Sequence, residues 1–155
     1  MRRRALLATA TAVSTAPLAG CPVPPWGEVP DTVDGAELTL RREHTGEFES
    51  DEPNPHDAAV LIRAVDADPP RLTVRGRLLD GSRECYRIEL IEATLDADRL
   101  LVRLTAEDDP DWDEEACPDV AVAHPYEVII EFAEAPVPER VEVRHSDETI
   151  LDERV

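Results

Sequence analysis

Short runs in which apolar and polar residues alternate recur along residues 36–155, and they constrain the fold more than any other feature of the chain. In the cleanest run, Leu72, Val74 and Leu78 occupy one face, and arginine and threonine occupy the other. A period of two is typical of a half-buried β-strand. Seven or eight such runs, with turn residues between them and no convincing helical pattern, predict an all-β fold. We expect an antiparallel β-sandwich, with an immunoglobulin-like arrangement as the leading guess.

Three places depart from simple alternation. Ala58 to Val65 is apolar on both faces, which fits a central strand or a short buried helical segment. The apolar parity switches near Ile91, which predicts a β-bulge. Pro125 is predicted to end one short strand before another begins at Tyr126.

Two cysteines, Cys85 and Cys117, enclose two of the strand-like runs and an acidic loop. We expect them to form a disulfide, because the N-terminal sequence predicts export to an oxidising exterior and the chain has no CxxC or HxxxH spacing for a metal. Closing a loop of this length would stabilise the fold by about 3–4 kcal/mol. Two free thiols and a metal pair are the alternatives.

The N-terminus has the order of an export signal. Three arginines follow Met1, residues 5–19 carry no charge, and Cys21 comes shortly afterwards. The apolar part is too short and too interrupted for a transmembrane helix, which needs about 20 apolar residues. An amphipathic or disordered tail is the alternative interpretation.

The residues Leu18-Ala19-Gly20-Cys21 resemble a lipobox, and the arginines ahead of Ala5 resemble a twin-arginine signal. This resemblance implies that Cys21 becomes a lipid-modified N-terminus. The protein would then be exported and anchored to the outer face of the cytoplasmic membrane, because two acyl chains anchor stably where one is marginal. The predicted domains are therefore a signal peptide at 1–20, a lipid-anchored Pro-rich tether at 21–35 and a β-sandwich at 36–155.

Charge is the second strong signal. Acidic residues number 35 against 16 basic ones, and every basic residue is arginine. Loss of the three leader arginines would take the formal net charge from −19 to −22. Such a body should attract neither nucleic acid nor an anionic membrane surface. Carboxylates spread along the whole chain resemble the surfaces of halophilic archaeal proteins, since molar salt screens their repulsion. A disordered acidic protein is the alternative, and the 42% hydrophobic content argues against it.

Enzyme motifs are absent from the sequence, and we expect neither catalytic residues nor a cofactor. Four histidines, at 44, 56, 124 and 145, are scattered through predicted loops and strand ends. Three of them converging on a metal ion is an alternative that the pattern does not favour.

The acidic loop 108–115 is the best candidate for a site. Its carboxylates suit a hard cation, although it lacks EF-hand spacing, and a solvated acidic surface is the simpler interpretation. Trp112 is a candidate anchor for a partner protein. The candidate metal ligands are Asp108, Asp109, Asp111, Asp113 and Glu114.

Arg71, Arg75 and Arg77 form a basic stripe on the predicted outer face of one strand. We expect them to pair with glutamates such as Glu89 or Glu131 on neighbouring strands. An anion-binding site is the alternative.

The order of signal, lipobox, Pro-rich tether and cysteine-containing domain resembles small haloarchaeal lipoproteins of unassigned role. This resemblance, together with the missing enzyme motifs, favours a lipid-anchored cell-surface β-sandwich that acts as a non-catalytic binding or structural module. Its partners would be the membrane, through the lipid on Cys21, and an envelope protein, with no nucleic acid. The alternatives are an inhibitor or accessory subunit of an exported protease, a cation-binding domain using loop 108–115, and a substrate-binding or enzymatic domain.

Overall fold

A computed structural model describes residues 28–43, 48–51, 53–113 and 116–155. In these ranges the chain forms strands and no helix, which confirms the all-β prediction. The nine strands are β1 (Glu28–Val33), β2 (Ala36–Arg42), β3 (Ala58–Ala64), β4 (Arg71–Asp80), β5 (Tyr86–Asp96), β6 (Arg99–Asp108), β7 (Val122–Glu131), β8 (Arg140–His145) and β9 (Glu148–Arg154).

The strands form two sheets that pack face to face as a β-sandwich. One sheet has the order β1-β2-β7-β4-β3, and the other has the order β5-β6-β8-β9. All neighbouring pairs are antiparallel except β6 and β8, which run parallel. The four-plus-three strand order of immunoglobulin domains is therefore not the order found here. Alternation predicted the strands but carries no information on which strands become neighbours.

The core lies between the sheets and is built from the predicted alternating residues. Leu72 and Val74 on β4 are fully buried, as are Val128 and Ile130 on the adjacent β7. Gly76 takes the one inward position of β4 without a side chain, because Tyr126 occupies that space. A Cβ added at Gly76 would lie 2.4 Å from the Tyr126 hydroxyl oxygen.

The register of β5 against β6 shifts between Leu90 and Glu92, which confirms the bulge predicted at Ile91. The extra residue changes which parity faces the core, since successive side chains in a strand point to opposite faces. Ile91 itself is 41% exposed.

The prediction that Pro125 ends a strand is wrong. β7 runs without interruption from Val122 to Glu131, and Pro125 pairs with Arg77 of β4. On the other side of β7 the ladder with β2 starts only at Tyr126. Pro125 therefore has a strand neighbour on one side alone, the position in which a missing N–H is tolerated.

Two further boundaries differ from those expected. Ala58–Ala64 is a strand, as one alternative held, but it lies at the edge of its sheet and pairs only with β4. β1 lies within the range 21–35 that was assigned to the tether, so the sheet begins at Glu28 rather than at residue 36.

Strand directions separate the connections into two ends of the sandwich. At one end lie the connections 43–57, 81–85, 109–121 and 146–147, and the chain enters β1 there; we call this the loop-rich end. At the other end lie 34–35, 65–70, 97–98 and 132–139, and we call it the turn-rich end. Because long surface connections carry function more often than short turns do, the loop-rich end is the better place for a functional site.

Candidate functional site

A disulfide joins Cys85 and Cys117 at the loop-rich end, as the sequence predicted. The two Cα atoms are 5.9 Å apart, within the usual range for such bonds, and Cys85 is 4% exposed. The bond fixes the 109–121 connection to the start of β5. A backbone hydrogen bond of 2.7 Å from Asp109 N to Cys85 O holds the same junction.

The carboxylate of Asp109 stabilises the conformation of the acidic loop. Oδ1 of Asp109 accepts a hydrogen bond of 2.9 Å from the backbone N–H of Asp111, and the guanidinium of Arg87 lies 3.9 Å away. The backbone N–H of Trp112 donates to the carbonyl of Asp109 at 2.9 Å. Asp109 therefore has a structural role in shaping the loop.

The other predicted residues of this loop do not converge. Asp108 ends β6, Asp113 is exposed, and Trp112 is partly buried; Glu114 lies outside the described residues. In the described ranges no group of three or more His, Cys, Asp or Glu residues is placed to hold a metal ion. Cation binding by this loop and partner binding by Trp112 stay predictions.

A network of three polar side chains connects the two sheets at the loop-rich end. The hydroxyl of Tyr126 on β7 lies 2.7 Å from Nε2 of His145, the last residue of β8. Nδ1 of His145 lies 2.5 Å from Oδ1 of Asp57, in the connection before β3. Tyr126 is fully buried and His145 is 5% exposed, while the Asp57 side chain is 25% exposed, so this Tyr126–His145–Asp57 network runs from the core toward the surface. It ties the long 43–57 connection to both sheets.

Burial sets the protonation of the network. Desolvation raises the pKa of the Tyr126 phenol far above its usual value, and the nearby Asp57 carboxylate adds to this. Desolvation also lowers the pKa of His145, against the opposing pull of Asp57 and Glu148. At neutral pH the arrangement that fits has the Tyr126 hydroxyl donating to Nε2 and the Nδ1–H of His145 donating to Asp57.

His124 and His145 were expected in loops or at strand ends, and the structure buries both. His124 is fully buried, and its Nε2 lies 2.6 Å from the carbonyl oxygen of Gly81. Its Nδ1 has no hydrogen-bond partner among the residues that the structure describes. His56 is exposed, and His44 lies outside the described ranges.

An open cleft of about 490 Å³ lies beside the disulfide. Its walls include Leu79 and Val120, which are 40% and 55% exposed, and the carboxylates of Asp80 and Asp119. The cleft thus offers both apolar and charged contacts next to the disulfide. The cleft is therefore the surface at this end best suited to contact another molecule.

The basic stripe on β4 is used within the protein. Arg75 donates twice to Glu127 Oε2, at 3.0 and 2.7 Å, and Arg41 donates to Oε1 at 3.2 Å. Arg71 lies 3.5 Å from Glu131, while Arg77 stacks over the Phe48 ring at 4.8 Å. The expected pairing is therefore confirmed for two of the three arginines.

Each sheet buries one glutamate on its outer face between two arginines. Glu127 is 3% exposed beneath Arg41 and Arg75. On the second sheet Glu142, also 3% exposed, pairs with Arg99 and with Arg144 at 2.6 Å. A buried carboxylate needs such partners, since an unpaired charge inside a protein costs several kcal/mol.

The predicted lipobox with Cys21 and the arginines of the predicted export signal lie outside the described residues. In the part of the chain that is described, no helix is long and apolar enough to cross a membrane. Comparisons with known proteins found no matching family model, no similar curated protein and no similar solved structure.

Proposed function

We propose that this protein is a lipid-anchored, non-catalytic binding module that presents the loop-rich end of its sandwich to a partner at the membrane surface. One observation carries the proposal: the lipobox cysteine stands only six residues before β1, and β1 begins at the loop-rich end. A chain between Cys21 and Glu28 spans about 25 Å at most. A lipid on Cys21 would therefore hold this end close to the bilayer.

The chemistry of the loop-rich end supports the same proposal. A disulfide suits an oxidising exterior, and here it fixes one of the two longest connections of the fold. The cleft beside it combines exposed Leu79 and Val120 with flanking carboxylates, which suits a protein surface with an apolar centre and a basic rim.

Lipidation is tested first. The chain is expressed in a host that processes such leaders, and the membrane fraction is compared with a Cys21→Ser variant. We expect an intact mass that corresponds to cleavage before Cys21 with a lipid attached, and loss of membrane association in the variant. A membrane-free protein that still begins at Met1 would disprove the anchor.

Partner binding is tested on the same membranes in molar NaCl. A photo-crosslinker is placed at Val120 in the cleft, and a matched one at Ala97 in the β5–β6 turn at the opposite end. We expect a specific crosslinked product from position 120 and none from position 97. A product from position 97 alone would contradict the assigned end, while a protease in the product would favour the accessory-subunit alternative.

A further inference from the structure

Two arginines occupy strand positions where the alternation calls for an apolar residue. On β2, Arg42 comes two residues after Leu40, which is fully buried. On β3, Arg63 comes two residues after Leu61, which is 8% exposed. Because residues two apart in a strand share a face, the side chains of both arginines leave the backbone on the inner face of their sheet.

Arg63 reaches across the open side of the sandwich to the edge of the other sheet. Its Nε and Nη2 donate to the carbonyl of Arg154 on β9, at 3.2 and 2.5 Å, and Nη2 also donates to Glu153 at 2.7 Å. Its Nη1 lies 3.3 Å from the carbonyl oxygen of Leu61 on β3 itself. One guanidinium thus binds backbone carbonyls of two edge strands, β3 and β9.

Arg42 makes the corresponding contacts on the opposite side. Its Nε donates to the carbonyl of Ile88 on the edge strand β5 at 2.6 Å, and its Nη2 donates to Glu89 at 2.9 Å. Each inward arginine therefore binds one backbone carbonyl and one carboxylate of the facing edge strand. Inward-pointing charges of this kind are a known way to prevent strand edges from pairing with other molecules.

Of the edges, β3 has the composition that most needs such protection. It pairs with β4 only, and Ala58–Ile62 carries no charge in a chain of which 33% is charged. Ile62 and Val65 are each 41% exposed. An unpaired, apolar edge strand is a template for another strand.

We infer that Arg63 keeps the β3 edge closed, and that this edge is a docking surface for β3 of a second copy once the guanidinium is removed. A second copy fits because the strand is complementary to itself. In an antiparallel pairing centred on Leu61, Ile62 of each copy lies opposite Val60 of the other, which makes two apolar cross-strand pairs. The two domains are both acidic, but the paired stretch Ala58–Ile62 carries no carboxylate, so the strands can meet without charge repulsion between them.

The test measures molar mass by light scattering after size-exclusion chromatography in molar NaCl. The full chain is used in a Cys21→Ser background, so that no lipid contributes to association. We expect the parent to be a monomer and Arg63→Ala to double its mass with rising concentration. The matched control is Arg140→Ala, which removes an arginine whose Asp152 pair lies within one sheet, and it should stay monomeric.

A rescue variant ties the association to β3. Arg63→Ala combined with Ile62→Lys puts a charge back on the edge and should return the mass to that of a monomer. If Arg63→Ala is unfolded by circular dichroism, Arg63→Gln takes its place, because a neutral amide can still donate to the Arg154 carbonyl but removes the inward charge from the edge. A folded Arg63 variant that stays monomeric at all concentrations would overturn the inference, as would equal association of Arg140→Ala.

Discussion

At the turn-rich end the hairpins β1–β2 and β5–β6 reverse through two-residue turns, whereas at the loop-rich end contacts between distant residues hold the long connections 43–57 and 109–121 in place. Asp34 and Gly35 join β1 to β2 with φ angles of 44° and 87°. The loop-rich end instead depends on the disulfide and on the Tyr126–His145–Asp57 network. One sandwich thus combines hairpin turns set by local residues at one end with long connections that depend on long-range bonds at the other.

The largest expected difference between the ends comes from the disulfide. Replacing Cys85 and Cys117 together by alanine should lower the free energy of unfolding by about 3–4 kcal/mol, because the unfolded chain gains the entropy of an open loop. Urea unfolding in molar NaCl measures this loss. Limited proteolysis of the variant should first cut within 109–121, and a first cut at the turn-rich end would contradict the comparison.

The next largest effect is expected in the buried network. Tyr126→Phe removes the hydroxyl and leaves Nε2 of His145 buried without a partner, which should cost about 1–3 kcal/mol. Urea unfolding again gives the value. Tyr86→Phe at the same end is the matched control, since Tyr86 is partly exposed, and it should change stability by less than about 0.5 kcal/mol. Equal effects of the two substitutions would show that the network does not stabilise the loop-rich end.

A substitution at the turn-rich end should have a local and smaller effect. Gly35→Ala places a side chain at a positive φ angle and should cost about 1 kcal/mol. A hydrogen-exchange experiment should show faster exchange around the β1–β2 turn and no change in the 43–57 connection. Faster exchange at both ends would mean that the two ends are not independent.

The smallest effect is a dependence of stability on pH. The pKa of His145 is lower in the folded state than in the unfolded chain, so the unfolded state binds more protons as pH falls. The contribution of His145 to stability should therefore be fully present above the ordinary histidine pKa of about 6.5, and it should decrease as pH falls below that value. Thermal unfolding at pH 7.5 and 5.5 measures the change, which His145→Gln should reduce. The control variant His56→Gln, which replaces an exposed histidine, should show the same pH dependence of stability as the parent protein.

The strands and the disulfide could be predicted from the sequence because both depend on simple signals. Alternation marks most strands, although not β1 or β3, and the predicted export signal together with two cysteines indicates an oxidised pair. Strand neighbours could not be predicted, since nothing in the pattern of β6 or β8 indicates that they run parallel.

The network was missed because its members are far apart in sequence, with Asp57 and His145 separated by 88 positions. One signal was present: His145 shares the parity of Val141 and Val143 on β8, so alternation alone places it inward. The same parity argument applies to Arg42 and Arg63. Polar residues at apolar positions of a strand were therefore more informative here than the acidic loop, which gathers no ligand set among its described residues.

The disulfide also determines how this protein would respond to a pulling force. The 81–85 and 109–121 connections both carry the chain from one sheet to the other, and the bond between Cys85 and Cys117 joins them. A force applied between the chain ends would therefore bypass the segment between the cysteines. The contour length of that segment, about 110 Å, would not add to the extension until the bond is reduced. The oxidised molecule would thus extend less, and β5 and β6 would bear no load even with the rest of the chain stretched.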